Sequence, residues 1–205
     1  MQQPIKIMVA STIYNFEDNI STICSELSTM GYHVLNSHIG SIKVNPNLSN
    51  LENCLNAVRE CDVFLGIIRP YYGTGNIDEL NITFEEIKLA MKLNKPYWFL
   101  VHRDVVFTRQ LKKYLYFIDE SGNENTNVQI KKSNVFDERT LKIYDYVIKE
   151  GTPIATRTGN WAQEFYRLDE ALIYVKAQYE DKDFIFGVLR SGNDENNNND
   201  LFPIY

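Results

Sequence analysis

Cysteine and histidine are scarce in this chain of 205 residues, at three of each. Cys24, Cys54 and Cys61 are odd in number and unpaired in spacing, so they make no disulfide framework, and Cys54-x6-Cys61 is not a zinc spacing. His33, His38 and His102 add no metal-like pair, and no metal site is expected. The three thiols are expected to be buried or half-buried, the common state of free cysteine. Positive charge is also in deficit, with 21 Lys and Arg against 27 Asp and Glu, a net charge of −6. Nucleic acid is therefore not expected as a partner, because non-specific binding draws on clustered cations. No apolar run approaches the ~20 residues that cross a bilayer, so no membrane span is expected. The opening Met-Gln-Gln-Pro-Ile-Lys lacks a basic region leading into an apolar core, which suggests a cytoplasmic protein without a secretory signal. G-x-G-x-x-G and Walker patterns are missing too, which disfavours an ordinary Rossmann dehydrogenase and a P-loop NTPase.

What is present is an alternation of strand and helix patterns. Ile5 to Ala10 is a short apolar run with β-branched members and reads as a first strand. Ile20, Ile23, Cys24, Leu27 and Met30 follow at helical spacing, and Gly31 ends that helix. Tyr32 to Leu35 makes a second strand, and Leu51, Cys54, Leu55 and Val58 mark a second helix. Val63 to Ile68 is almost unbroken in apolar residues, the mark of a strand buried on both faces of a parallel sheet. A helix over Thr83 to Leu93 and a strand over Tyr97 to Val101 complete the series. The pattern predicts an α/β fold with a doubly wound parallel sheet over residues 1–102.

Beyond Val101 the texture changes. Helical patterns run over Val105 to Ile118, through Leu141, Tyr144, Val147 and Ile148, and through Leu168, Leu172, Val175 and Tyr179. Residues 103–190 are expected to form a helical extension packed on the sheet, since short amphipathic helices seldom fold alone. The Asn-rich tail, residues 191–205, is expected to be disordered, with a terminal Leu-Phe-Pro-Ile-Tyr that could dock on a partner.

In an open parallel sheet, ligands bind beyond the carboxyl ends of the strands. The segments that map there are Ser11-Thr12-Ile13-Tyr14, the loop from Arg69 to Gly75, the start of the helix carrying Glu86, and His102-Arg103-Asp104. Ser11-Thr12 and Gly73-Thr74-Gly75 are either turns or anion cradles ahead of a helix N-terminus. Thr83 with Glu86 three residues later fits a capping box. Glu85 shares its side of the helix with Lys88 and Lys92, a solvated face. Glu86 instead borders the apolar stripe of Phe84, Ile87 and Met91, which makes it the candidate functional acid.

These blocks carry a family resemblance. Lys6-Ile-Met-Val-Ala-Ser-Thr-Ile-Tyr-Asn-Phe-Glu-Asp18, Cys61-Asp-Val-Phe-Leu-Gly-Ile-Ile-Arg-Pro-Tyr-Tyr-Gly73 and Ile82-Thr-Phe-Glu-Glu-Ile-Lys-Leu-Ala-Met-Lys-Leu-Asn-Lys-Pro96 resemble, in order, three blocks of the bacterial family called domain of unknown function 4062. Residues 135–179, with Arg157-Thr-Gly-Asn-Trp161, resemble the C-terminal extension of some members. The family is similar in fold to Toll/interleukin-1 receptor (TIR) domains and to nucleoside 2-deoxyribosyltransferases, which implies a flavodoxin- or TIR-like sheet. Glu86-Ile87-x-x-Ala90 with Lys95 resembles the frame that holds the glutamate of those enzymes. The resemblance implies that Glu86 is catalytic at an N-glycosidic bond. It implies that Ser11, Thr12, Arg69 and Gly73 hold a nucleotide such as NAD, and that Tyr14 or Tyr72 stacks on its base. NAD would be substrate or ligand, with no separate cofactor.

The leading expectation is a TIR-like protein that cleaves or senses NAD or a related nucleotide in bacterial defence or signalling, with a homo-oligomer as a candidate assembly. The alternative is a non-catalytic interaction module, with the helix over Val105 to Ile118 as a contact surface. Deoxyribosyl transfer ranks third, because residues 71–81 lack the transferase pattern.

Overall fold

A computed structural model describes residues 3–73, 81–114, 117–118, 121–125, 133 and 135–199. The first half follows the alternation read from the sequence: β1 (Lys6–Ser11), α1 (Glu17–Thr29), β2 (His33–Leu35), α2 (Asn50–Glu60), β3 (Val63–Ile68), α3 (Ile82–Lys92) and β4 (Tyr97–His102). After these come α4 (Arg103–Tyr114), a small antiparallel pair β5 (Phe117–Ile118) and β6 (Glu124–Asn125), and α5 (Arg139–Val147). β7 (Ala162–Phe165), α6 (Leu168–Tyr179) and α7 (Lys182–Asn199) complete the chain.

Five strands form one all-parallel sheet in the order β2-β1-β3-β4-β7. This is the 2-1-3-4-5 order of flavodoxin-like sheets, whose topological switch point lies between β1 and β3. Period-two alternation divides the core into two layers. Ile7, Val9, Val63, Leu65, Ile67 and Leu100 face α1, α6 and the first half of α7. Met8, Ala10, Phe64, Ile68, Phe99 and Val101 face α2, α3 and α5. β3 is buried along its whole length, as its apolar run requires. Gly66 in its middle is needed for packing: a Cβ there would sit 2.7 Å from Cδ1 of Phe99. The three cysteines are free and buried, as expected.

The C-terminal half departs from expectation in two places. Residues 162–165 supply the fifth strand of the sheet, pairing Phe99 with Ala162 and His102 with Phe165. The sheet is therefore not complete at residue 102, and the extension carries this strand and the β5–β6 pair beside its helices. The polar tail expected to be disordered is helical as far as Asn199. The first half of α7 docks Ile185, Phe186 and Leu189 on the α1 layer, and a helix anchored that way propagates at little further cost. Residues 200–205, with the apolar terminal segment, lie outside the described residues. Among the described residues no helix is long and apolar enough to cross a membrane, and no cluster of His, Cys, Asp or Glu could hold a metal ion.

Candidate functional site

The carboxyl ends of β1, β3 and β4 meet at the switch point, and side chains from both helical layers converge there. On one side is α3. Asn81 caps it, the side-chain oxygen accepting the N–H of Phe84 at 2.7 Å. The Asn81 amide also donates to the carbonyl of Tyr72. The cap is therefore Asn81, not Thr83: the helix starts one residue earlier, and Thr83 turns into the packed face with Glu86, Ile87 and Ala90. Gly73 has φ +86°, and a Cβ on it would meet the Thr12 methyl at 3.4 Å and the Asn81 amide nitrogen at 3.6 Å. Thr12, Gly73 and Asn81 thus form one knot at the start of α3, and only glycine fits its centre without strain. Thr74 and Gly75 lie outside the described residues.

The two glutamates separate as helical geometry requires. Glu85 pairs with Lys88 at 2.6 Å on the outer face. Glu86 is 3% exposed, held between α3 and α2. Its carboxyl is hydrogen-bonded by the Cys54 thiol of α2, which also meets the Ser37 hydroxyl of the β2–α2 loop. That loop is ordered by Asn36, whose side chain donates to the Val9 carbonyl at 2.8 Å and accepts the N–H groups of His38 and Ile39. Burial pushes the Glu86 carboxyl up to about 8, and the thiol hydrogen bond only partly offsets it. At pH 7 the protonated form dominates by about ten to one. Burial holds the Cys54 thiol up at about 12, so it remains a donor and not a thiolate nucleophile.

On the opposite side of the sheet edge, Arg69 is 6% exposed. Its Nη1 donates to the carbonyls of Thr12 at 3.1 Å and Tyr14 at 2.7 Å, and its Nη2 to Asn15 at 3.3 Å. The guanidinium lies 4.2 Å over the Phe16 ring and 5.0 Å from that of Tyr71. Arg69 therefore ties the β1–α1 loop to the end of β3. Desolvation lowers its pKa to about 10, which leaves it charged at neutral pH. Ser11 is buried, and its hydroxyl donates to the Thr12 carbonyl at 3.1 Å. α1 begins only at Glu17, with Glu17 and Asp18 in its first turn, so acids already occupy its positive end.

The two candidate stacking tyrosines have different surroundings. Tyr14 is 53% exposed and meets Tyr71 edge to face at 5.4 Å. Tyr72 is buried, with the Arg139 guanidinium 4.0 Å above its ring and Asp137 holding that arginine at 2.7 Å. The structure thus joins Thr12 to Gly73, and Thr12 and Tyr14 to Arg69, while Glu86 approaches the edge from the other layer.

Sequence reasoning missed Cys54 as the hydrogen-bond partner of Glu86, Asn36 as the organiser of the adjacent loop, and Asn81 as the cap. The Asn81 position just before the helix was the one available signal. Lys95, part of the glutamate frame, donates to the carbonyls of Cys61 at 2.6 Å and Arg59 at 3.0 Å, capping the C-terminus of α2.

A family model described as "Domain of unknown function (DUF4062)" matches residues 6–152, which includes both sides of this sheet edge. The chain belongs to that family. The matched span ends before β7, so the fifth strand and the last two helices lie beyond it. No curated protein gives a significant match. Among solved structures, the chain is similar to the CMP N-glycosidase BcmB of Clostridium botulinum. Identity is 14%, with 84% of this chain and 98% of that chain covered and a TM-score of 0.46.

Proposed function

We propose that this DUF4062 protein processes nucleotides by cleaving an N-glycosidic bond, with NAD or a related nucleotide as substrate. The observation that carries the reading is Glu86: a buried carboxyl, neutral at rest, in the second turn of α3 and beside the carboxyl edge of a parallel sheet. A neutral acid can donate a hydrogen bond to a ribose hydroxyl in the ground state. As the bond from C1′ to the base breaks, the base leaves with the bonding pair and the ribosyl carbon becomes cationic. That charge favours transfer of the Glu86 proton to solvent, and the resulting carboxylate stabilises the oxocarbenium-like centre until water adds at C1′ and gives up a proton that restores the neutral acid. Low solvent access around Glu86 makes this electrostatic term large.

In this reading Thr12 and Gly73 line the ribose end and Tyr14 with Tyr71 offers an aromatic face to a base. The resemblance to TIR domains extends the proposal to a cytoplasmic defence or signalling role and a homo-oligomeric assembly. The test incubates the full chain with NAD and with nucleoside monophosphates and follows base release by chromatography. Release should fall by about 100-fold or more in Glu86→Gln, the scale of losing one electrostatic group from an active site. Release unchanged in that variant would remove Glu86 from the mechanism.

The near-complete burial of Glu86 favours one alternative, a module that binds nucleotides without turnover. Ligand-dependent change in size-exclusion elution with no base release would select it. Base exchange on a deoxynucleoside would select the transferase reading.

A further inference from the structure

Arg69 carries a positive charge into the protein interior. Among the described residues no acid lies within ion-pairing distance, and the guanidinium is held by three backbone carbonyls and two aromatic faces. Its Nε–H is buried and has no hydrogen-bond partner. A buried donor left unmade is destabilising, and on a charged group more so, which marks a position where a partner is expected. The guanidinium lies 4.2 Å over the buried Phe16 ring and 5.0 Å from that of Tyr71, which meets the half-exposed Tyr14 edge to face.

The neighbouring strand presents a second group suited to the same partner. β3 and β4 pair Ile68 with Val101, so Arg69 and His102 occupy the next opposed positions, about 5 Å apart in backbone spacing. His102 is on the same side of the sheet as Arg69, its ring against Phe165, which in turn packs on Phe16 beneath the guanidinium. Its Nδ1 accepts the N–H of Asp104 at 3.3 Å, which leaves Nε2 carrying the proton in the neutral ring. The charges around it come from every packed element. Arg69 reaches it from β3, Arg103 and Asp104 from α4, and Glu164 from β7, itself paired with Arg103 at 3.1 Å. Tyr166 adds a ring at 5.7 Å. Burial and the two arginines hold His102 below its ordinary value.

We propose that Arg69 and His102 form a phosphate subsite at the carboxyl ends of β3 and β4, so that this sheet edge takes a phosphorylated nucleotide and not a free nucleoside. The proposal rests on the nucleotide reading of this sheet edge and adds the part of the ligand that the Glu86 side does not address. Arg69 Nε–H and His102 Nε2–H each donate to a phosphate oxygen. The arriving anion offsets the burial and the arginine charges that hold His102 below its ordinary value. The ring then takes a proton at Nδ1, which turns to the Asp104 carboxylate 3.5 Å away.

The experiment titrates the full chain calorimetrically with AMP, adenosine and inorganic pyrophosphate, in the wild type, His102→Gln and Arg69→Gln. AMP should bind about 10-fold or more tighter than adenosine, as charge-assisted hydrogen bonds require. That preference should shrink to about 2-fold in either variant, with adenosine affinity unchanged in His102→Gln, which keeps the Arg69 loop ties. Wild-type AMP affinity should also rise from pH 8 to pH 6.5 more steeply than in His102→Gln, a comparison that cancels the ligand's own titration. Equal binding of AMP and adenosine overturns the subsite and leaves the nucleotide reading standing. A phosphate preference that survives both substitutions also overturns it. Pyrophosphate binding that depends on both residues, without nucleoside binding, supports the subsite and overturns the nucleotide reading. No binding of any probe overturns both.

Discussion

Replacing Glu86 by glutamine should change how the stability of this protein depends on pH. The folded state keeps the Glu86 proton up to about pH 8, whereas the unfolded chain releases it near 4.5. The unfolded state therefore binds fewer protons between those values, and stability falls as pH rises, at up to about 1.4 kcal/mol per pH unit. Over the whole span this amounts to roughly 5 kcal/mol, about half of it lost between pH 5 and 7. Relaxation and water entry around the ionised group reduce the cost, so about 2–5 kcal/mol is the working range. Glutamine has nearly the same shape, can still accept from the Cys54 thiol and never ionises, so its curve lacks this fall. Other groups titrate in both proteins. Glu17, Glu52, Glu60, Glu150 and Glu170 all lie below their ordinary value and lose stability only towards acid. Their effects cancel in the difference between the two proteins. Urea unfolding at unit steps from pH 5 to 9, followed by circular dichroism, reads that difference directly. Parallel curves, or a wild type that gains on the variant as pH rises, would refute the buried neutral acid.

Gly66→Ala should destabilise by about 1–3 kcal/mol, because the new methyl would sit 2.7 Å from the Phe99 ring between two packed strands; thermal unfolding measures it. Asn81→Ala should cost about 1 kcal/mol through the lost α3 cap and, by loosening the start of that helix, reduce nucleotide affinity; urea unfolding and titration read the two effects. Lys95→Met should lower stability by about 1 kcal/mol, since its ammonium caps the α2 carbonyls, while leaving the Glu86 pH effect in place. If that substitution instead abolishes the pH effect, Lys95 acts on the acid and not on α2.

The sheet domain was legible in the sequence because its signals are local. β3 was bounded at Val63 and Ile68 by its own apolar run, and α6 at Leu168 and Tyr179 by its periodicity. Glu86 was separable from Glu85 because one step along a helix turns a side chain by about 100°. β7 was not legible: Ala-Gln-Glu-Phe has no strand pattern of its own and exists as a strand only because β4 offers an open edge far away in sequence. The tail failed for a related reason, since polar composition argues against a helix that packing at its first half sustains. Thr83 was a reasonable cap from its spacing to Glu86, but Asn81 caps the helix two residues earlier, its side chain accepting the N–H of Phe84 and its carbonyl that of Glu85, and it meets Tyr72 as well.

The amino-acid sequence by itself determined the acidic balance, the alternation that yields a parallel sheet, and the particular glutamate at the head of α3. Periodicity and composition act over a few residues, and for those properties a few residues suffice. Only the tertiary structure decided that Glu86 is neutral and that Cys54 is its donor. It also decided that Arg69 is a tie for the β1–α1 loop with one N–H unmatched, and that His102 stands beside it. Those properties depend on desolvation and on neighbours from other elements, which exist only once distant segments have packed together.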